Sequence, residues 1–269
     1  MEKQRQKTFE VIILAGGNCK WLEMMGLNSC KAMAQLGGKP LISYMIEALQ
    51  KSAFIAGITI VGPREALQAL NCSNEVKIVD AAGGSMLDNA LTALQATKVS
   101  GEVLFVTDDI PLLTTEAVED FLQRTQGEVA DVFYPIISQD SCLQQFPRVK
   151  RTLVKLKDGI FTGGNIFLVQ SSVVASCKAG AEEVFARRKA PVALCKWLGW
   201  SFVLKFLLRR LTVADIEERV SVLLGFKGKA IITEYAEIGM DIDKESDWVF
   251  VSEHFKHSAA HKTMSSKRC

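Results

Sequence analysis

Two acids and one amide stand where short apolar runs meet turns. Asp109 follows Val103-Leu104-Phe105-Val106-Thr107, Asn165 precedes Ile166–Val169, and Asp243 comes after the late run Lys229–Thr233. Runs of this length and composition read as buried strands, so residues at their ends would meet along one sheet edge. Two carboxylates aimed at one point repel unless a cation separates them. Mg2+ suits that place, because it takes one or two carboxylates together with waters and phosphate oxygens. Each acid also has a plainer reading. Asp109 precedes Pro111 by two residues and could serve a turn, while Asp243 stands three before Ser246 and could cap the last helix.

A cradle for phosphate is the second chemical feature. Phe9-Glu10-Val11-Ile12-Ile13-Leu14 ends abruptly in Ala15-Gly16-Gly17. Glycine after a strand lets backbone amides approach a ligand that a Cβ would hold off, and in open α/β sheets nucleotides sit at that edge. The alternative is an ordinary glycine turn leaving a core strand. Lys31 is the cation best placed to meet phosphate charge, since its loop must pass over the glycines before the helix at Leu41; Lys20 and Lys39 are its rivals.

The elements that must carry these residues alternate. After the first strand, Pro40 opens a helix Leu41–Gln50, with Ile42, Met45, Ile46 and Leu49 at helical spacing. Ile58–Pro63 and Val76–Asp80 read as strands, with a short helix Glu65–Leu70 between them. Ala81-Ala82-Gly83-Gly84-Ser85 then opens a helix in which Ser85 and Asp88 form a capping-box-like start. The fourth strand, Val103–Thr107, precedes a helix Glu116–Arg124 capped by Thr114 or Thr115. Such alternation predicts an α/β fold with a mostly parallel sheet flanked by helices.

The second half is less regular. Asp131–Ile136, Arg151–Leu156 and Ile166–Val169 read as strands, with a hairpin through Lys157-Asp158-Gly159. A helical block about 172–224 contains the apolar segment Trp197–Leu208, interrupted by Lys205 and ended by Arg209-Arg210. A last helix begins at Glu245, and 254–269 lacks apolar periodicity and is expected to be disordered. The organisation predicted is one domain, 8–253, with the helical block as an insertion on the acceptor side.

The chain has 269 residues, 48% hydrophobic and 23% charged, with a formal net charge of +2. That balance gives no reason to invoke nucleic acid. Seven scattered cysteines without a Cys-x-x-Cys pair read as reduced thiols in a cytoplasmic protein. No apolar run reaches the length of a spanning helix, so no stable membrane insertion is expected. For Trp197–Leu208, burial over the substrate mouth or core is preferred to an interfacial membrane helix.

LAGG, NSCKAMAQLGGKPLISYMIEAL, VLFVTDDIPLLT, TGGNIFLV and IGMDIDKESDW occur in that order across about residues 10 to 250. Together they resemble the MobA-like nucleotidyltransferases, the family related to molybdenum-cofactor guanylyltransferase. The resemblance implies a Rossmann-like, glycosyltransferase-A-type fold. It implies nucleotide contacts at Leu14, Ala15, Gly16 and Gly17, with Lys31 on the phosphates and Gly84 and Ser85 near base or ribose. It further implies Mg2+ held by Asp109 and Asp243, and an acceptor or sugar near Asn165. One departure is plain. The tighter family signature has Ser-x-Arg-Met-Gly directly after LAGG, whereas this chain has Asn18-Cys19-Lys20-Trp21. The narrow assignment to molybdopterin guanylylation therefore does not follow.

The expected activity is Mg2+-dependent transfer of a nucleoside monophosphate from an NTP to a small phosphorylated or hydroxylated acceptor, with pyrophosphate leaving. Lys31 and Asp109 are the candidate catalytic pair. Arg187 and Arg188, with Arg148, Arg151 and Lys189 behind them, are candidates to hold an anionic acceptor, and a homo-oligomer fits the same reading. Two rivals stay open: a glycosyltransferase using a nucleotide-sugar, which would normally show Asp-x-Asp after the fourth strand, and a non-catalytic nucleotide sensor.

Overall fold

The computed structural model describes residues 7–17, 20–26, 30–70, 76–176, 178–187 and 189–266. The strands are β1 (Phe9–Leu14), β2 (Gln35–Leu36), β3 (Lys39–Pro40), β4 (Ile55–Gly62), β5 (Val76–Asp80), β6 (Glu102–Thr107), β7 (Val132–Ser138), β8 (Val154–Leu156), β9 (Gly159–Gly163), β10 (Ile166–Gln170) and β11 (Gly228–Thr233). The helices are α1 (Lys20–Met24), α2 (Leu41–Gln50), α3 (Arg64–Leu67), α4 (Met86–Thr97), α5 (Thr115–Thr125), α6 (Gln139–Gln145), α7 (Ser171–Ser176), α8 (Lys178–Arg187), α9 (Pro191–Leu198), α10 (Trp200–Leu207), α11 (Val213–Leu224) and α12 (Glu245–Ser266).

Nine strands form the main sheet, in the order β5-β4-β1-β6-β10-β7-β9-β8, with β11 on the other side of β7. β5, β4, β1 and β6 run parallel, β10 is antiparallel to β6, and β11 is parallel to β7. The chain moves outward from β1 through β4 and β5, then returns to the far side of β1 with β6. Connections therefore diverge between the carboxyl ends of β1 and β6, which is where open α/β sheets bind ligands.

Alternate side chains of a strand face opposite sides of its sheet, and the core divides accordingly. Val11 and Ile13 of β1 join Leu104 and Val106 of β6 in the larger cluster, with Leu41, Ile42 and Met45 of α2 and Phe121 of α5. Ile12 and Leu14 join Val103 and Phe105 on the other face, under Ala90 and Leu94 of α4. A sheet covered on both faces explains why these strands read as continuous apolar runs.

The expected helix Leu41–Gln50 and strand Val76–Asp80 form with those bounds. Ser85 caps α4 and Asp88 completes a reciprocal capping box, while Thr114 caps α5. Two expectations are corrected. The stretch expected to pass as a loop from the glycines to the helix at Leu41 contains the one-turn-plus helix Lys20–Met24. The terminal segment expected to be disordered is helical as far as Ser266; it contains no glycine or proline after Glu245 to stop a helix. Among the described residues, no helix is long and apolar enough to cross a membrane.

Candidate functional site

Asp109 leaves the end of β6, and its carboxylate is held from two sides. Thr107 Oγ1 donates to Oδ1 at 2.6 Å, and Lys31 Nζ donates to Oδ2 at 2.7 Å. Lys31 is buried in a short 3-10 turn, Lys31–Met33, and its backbone N–H reaches the Gly17 carbonyl at 3.3 Å. The glycine turn and the lysine are thus stitched together, as the sequence reading required. Burial works to lower the Lys31 ammonium, but the Asp109 carboxylate holds it above the ordinary lysine value.

Asp243 arrives from the opposite end of the chain. The N–H of Ile242 donates to the Asp109 carbonyl at 3.0 Å, pinning the segment Asp241-Ile242-Asp243 against the end of β6. Trp21 Nε1 donates to the Asp243 carbonyl at 3.0 Å, and its ring meets Trp248 edge-on with centroids 6.1 Å apart. Asp243 does not cap α12 with its own carboxylate; the Asp247 carboxylate accepts from the Asp243 N–H at 3.1 Å. Its side chain is left to the cluster.

Asp241 is the acid that the sequence reading missed. Oxygens of Asp109, Asp241 and Asp243 all lie within 4.8 Å of one another. The signal was present as Asp-x-Asp, two acids spaced around the buried Ile242. Burial, and then the charge of Asp109, push the Asp241 carboxyl up to about 6 against the pull of Arg151. For Asp243, burial opposes ionisation, but hydrogen bonds with Lys189 and Asp241 hold it below the usual carboxylate range.

Each acid carries its own cation: Lys31 on Asp109, Arg151 on Asp241, and Lys189 on Asp243. Arg151 also donates to the Asp241 carbonyl at 3.0 Å, and Lys189 stands 3.8 Å from Asp241. The side chains of Lys31 and Arg151 are 9% and 11% exposed, that of Lys189 53%. Two cations are fixed by burial, and the third reaches in from solvent.

Asp108, beside Asp109, is a second unexpected acid. It is buried, its Oδ2 has no hydrogen-bond partner, and burial with the Asp109 charge pushes its carboxyl up to about 8.

A cleft of about 170 Å³ opens beside the acids, lined among others by Tyr134, Arg151, Asn165, Lys189, Asp241 and Asp243. Lys150 and Lys244 add further positive charge to its wall. Asn165 reaches the cleft, although its Nδ2 donates to the Ile238 carbonyl at 3.3 Å. Arg187, expected at the acceptor, pairs instead with Glu183 one turn back on its own helix and is not part of the lining. Arg188, Asn18 and Cys19 lie outside the described residues. Arg148 is exposed and is not part of the lining.

At the glycine turn, a Cβ on Gly16 would come within 2.7 Å of Asn89 Nδ2, whereas one on Gly17 would meet only Asp108 Oδ1 at an ordinary 3.9 Å. Ala15 is wholly buried in the core, and its N–H donates to the Val61 carbonyl at 2.8 Å. Leu14 is likewise a core residue of β1. Gly84 and Ser85 lie in the turn after β5, and the Ser85 hydroxyl is engaged with Asp88 and Glu182 at 3.0 and 2.6 Å.

Comparison with known proteins agrees with this architecture. The MobA-like NTP transferase domain matches residues 11–197. The chain belongs to that family. A hypothetical transferase from Thermus thermophilus is 37% identical, with a TM-score of 0.75 over 90% of this chain and 99% of that one. Two more distant structures share the fold at 13% identity. One is 4-diphosphocytidyl-2C-methyl-D-erythritol synthase from Anaerococcus prevotii, with a TM-score of 0.56 over 93% of this chain and 97% of that chain. The other is molybdopterin-guanine dinucleotide biosynthesis protein A from Archaeoglobus fulgidus, with a TM-score of 0.52 over 93% of this chain and 100% of that chain. No curated protein matched. The glycine turn and Asp109 lie within the matched span. Asp241 and Asp243 lie beyond it.

Proposed function

We propose that the chain is a divalent-cation-dependent nucleotidyltransferase that moves a nucleoside monophosphate from an NTP to a small anionic acceptor. The observation that carries this reading is the convergence of three carboxylates from β6 and the distant segment 241–243 beside a buried lysine tied to the glycine turn. The donor set fits a hard cation. It offers only carboxylate oxygen, and a bound Mg2+ would offset the burial and the Asp109 repulsion that together raise the Asp241 carboxyl. When bound at Asp109, Asp241 and Asp243, such an ion would neutralise charge on the phosphates.

In the reaction an acceptor oxygen forms a bond to the α-phosphorus, and the bond from that phosphorus to the β-bridging oxygen breaks. The pair of electrons leaves with pyrophosphate. An acceptor hydroxyl would also give up its proton; an acceptor phosphate has none to give. The chain's part is positioning and charge stabilisation. Lys31 is locked against Asp109 next to the glycine turn, so its ammonium is preorganised toward phosphate charge. Arg151, Lys189 and Lys150 give the cleft a positive wall suited to an anionic acceptor.

The test is calorimetric titration with each NTP in Mg2+, alongside pyrophosphate release over a panel of sugar phosphates and other small anions. Asp109→Asn is expected to lose about two to three orders of magnitude in turnover with the fold intact. Turnover at the parent's rate would refute the assignment, and NTP binding without release on any acceptor would favour the sensor.

A further inference from the structure

The helix α10 is apolar on two sides. Phe202, Val203 and Phe206 turn inward to a small cluster with Leu156, Leu211 and Ile216. The outward side carries Trp200, Leu204, Leu207 and Leu208, which are 79%, 60%, 68% and 55% exposed. Their spacing of i, i+4, i+7 and i+8 puts them within an arc of about 100°. A surface helix of a globular protein ordinarily turns polar residues outward. Here the outward stripe is apolar, one tryptophan and three leucines.

Charge selects the occupant. From Val184 to Ala214 the sequence has seven Lys and Arg residues and no Asp or Glu. Arg187, Lys189 and Lys205 are paired with Glu183, Asp243 and Asp215 from outside that run, so the charge free to act is that of Arg209 and Arg210 beside the stripe. Arg209 and Arg210 follow α10 directly, both are exposed, and neither takes part in an ion pair among the described residues. A second copy docking through the same face would set this positive run against itself, which an isologous contact cannot relieve. An anionic bilayer answers both features. Its acyl boundary takes the leucines, its interface takes the tryptophan, and its headgroups take the arginines.

We propose that α9 and α10 form a peripheral docking element that lays the Trp200–Leu208 stripe on the surface of an anionic membrane. Nothing spans the bilayer. The stripe enters only the interfacial layer, and the rest of the domain stays in water.

The test is co-sedimentation of the full chain with extruded vesicles, either pure phosphatidylcholine or an equal mixture with phosphatidylglycerol. Partitioning into the anionic vesicles is expected, weaker into neutral ones, and reduced by high salt. Leu204→Ser with Leu207→Ser should lower the partition coefficient at least tenfold. Arg209→Gly with Arg210→Ser should lower it roughly thirtyfold on anionic vesicles only; glycine is chosen because Arg209 has a φ of 54°. These residues are exposed, so unfolding temperatures should stay close to the parent's, and light scattering should give one mass for parent and variants. Failure of the parent to bind anionic vesicles, variants that bind like the parent, or a parent dimer that the leucine variant dissociates would each overturn the proposal. Recovery of an acidic protein partner without vesicle binding would overturn it as well.

Discussion

Asp241→Asn should make the ion-free protein more stable while abolishing transfer. Asp241 is buried, and its carboxyl is raised from 3.8 to about 6 by that burial and by Asp109. A folded value above the unfolded one means that the folded chain holds its proton more tightly. The stabilisation is complete below about pH 4 and is lost as the pH rises through about 6. Each pH unit in that window is worth about 1.4 kcal/mol, so the charged residue destabilises the fold by about 3 kcal/mol at pH 8. Asparagine removes that charge and still offers Oδ1 to Arg151, whose second hydrogen bond, to the backbone carbonyl of residue 241, is untouched. The assay is urea unfolding from pH 4 to 8 in chelator, repeated with Mg2+. The parent should lose stability as the pH rises and recover it with Mg2+, by about 2.7 kcal/mol at a hundred times Kd. The variant should show a flatter pH profile, a smaller Mg2+ gain and turnover lower by two to three orders of magnitude. A variant less stable than the parent at pH 8 in chelator would refute the reasoning, as would one that keeps its turnover.

Lys189→Met should tighten Mg2+ binding a few-fold, because it removes an ammonium that competes at Asp243, and should raise the KM for an anionic acceptor. The pair is half-exposed and worth less than about 1 kcal/mol, so calorimetry and initial rates with varied acceptor are the suitable measurements. Asp215→Asn tests the start of α11. A hydrogen bond from Lys205, with those from Thr212, lowers the Asp215 carboxyl to about 2, so its stabilisation is present above about pH 4 and fades as the pH falls through 2. The variant should melt below the parent at pH 7, by about 1 kcal/mol for a weakened cap, and the gap should close near pH 2.

What could be read in advance was local in origin. β1 and β6 announce themselves as apolar runs because both faces of the sheet are covered, and Ser85 with Asp88 announces the start of α4 by spacing alone. Asp109 and Lys31 could be singled out because one follows a strand and the other lies in the loop that returns over the glycines. Their contact is a tertiary fact that the sequence does not name, since its reading sets Lys31 against phosphate rather than against Asp109. Asp241 was harder to read. Asp-x-Asp spaces two acids around the buried Ile242, but their meeting with Asp109 depends on the bond from Ile242 N–H to the Asp109 carbonyl, 133 positions back in the chain.

The basic residues mark the limit more sharply. Arg187, Lys189 and Arg151 look alike in sequence. Arg187 stands four residues after Glu183 on a helix and is claimed by it, a pairing that helical spacing alone foretells. Arg151 opens a segment read as a strand that in fact begins at Val154, and Lys189 lies in the turn between α8 and α9, so only the packing of β8, β9 and that turn around the sheet edge brings them to the acids. The outcome is a site in which each of the three clustered acids, Asp109, Asp241 and Asp243, already has a cation. Exchange must therefore proceed at the one exposed pair, Lys189 and Asp243, because Lys31 and Arg151 cannot leave without stranding a buried charge.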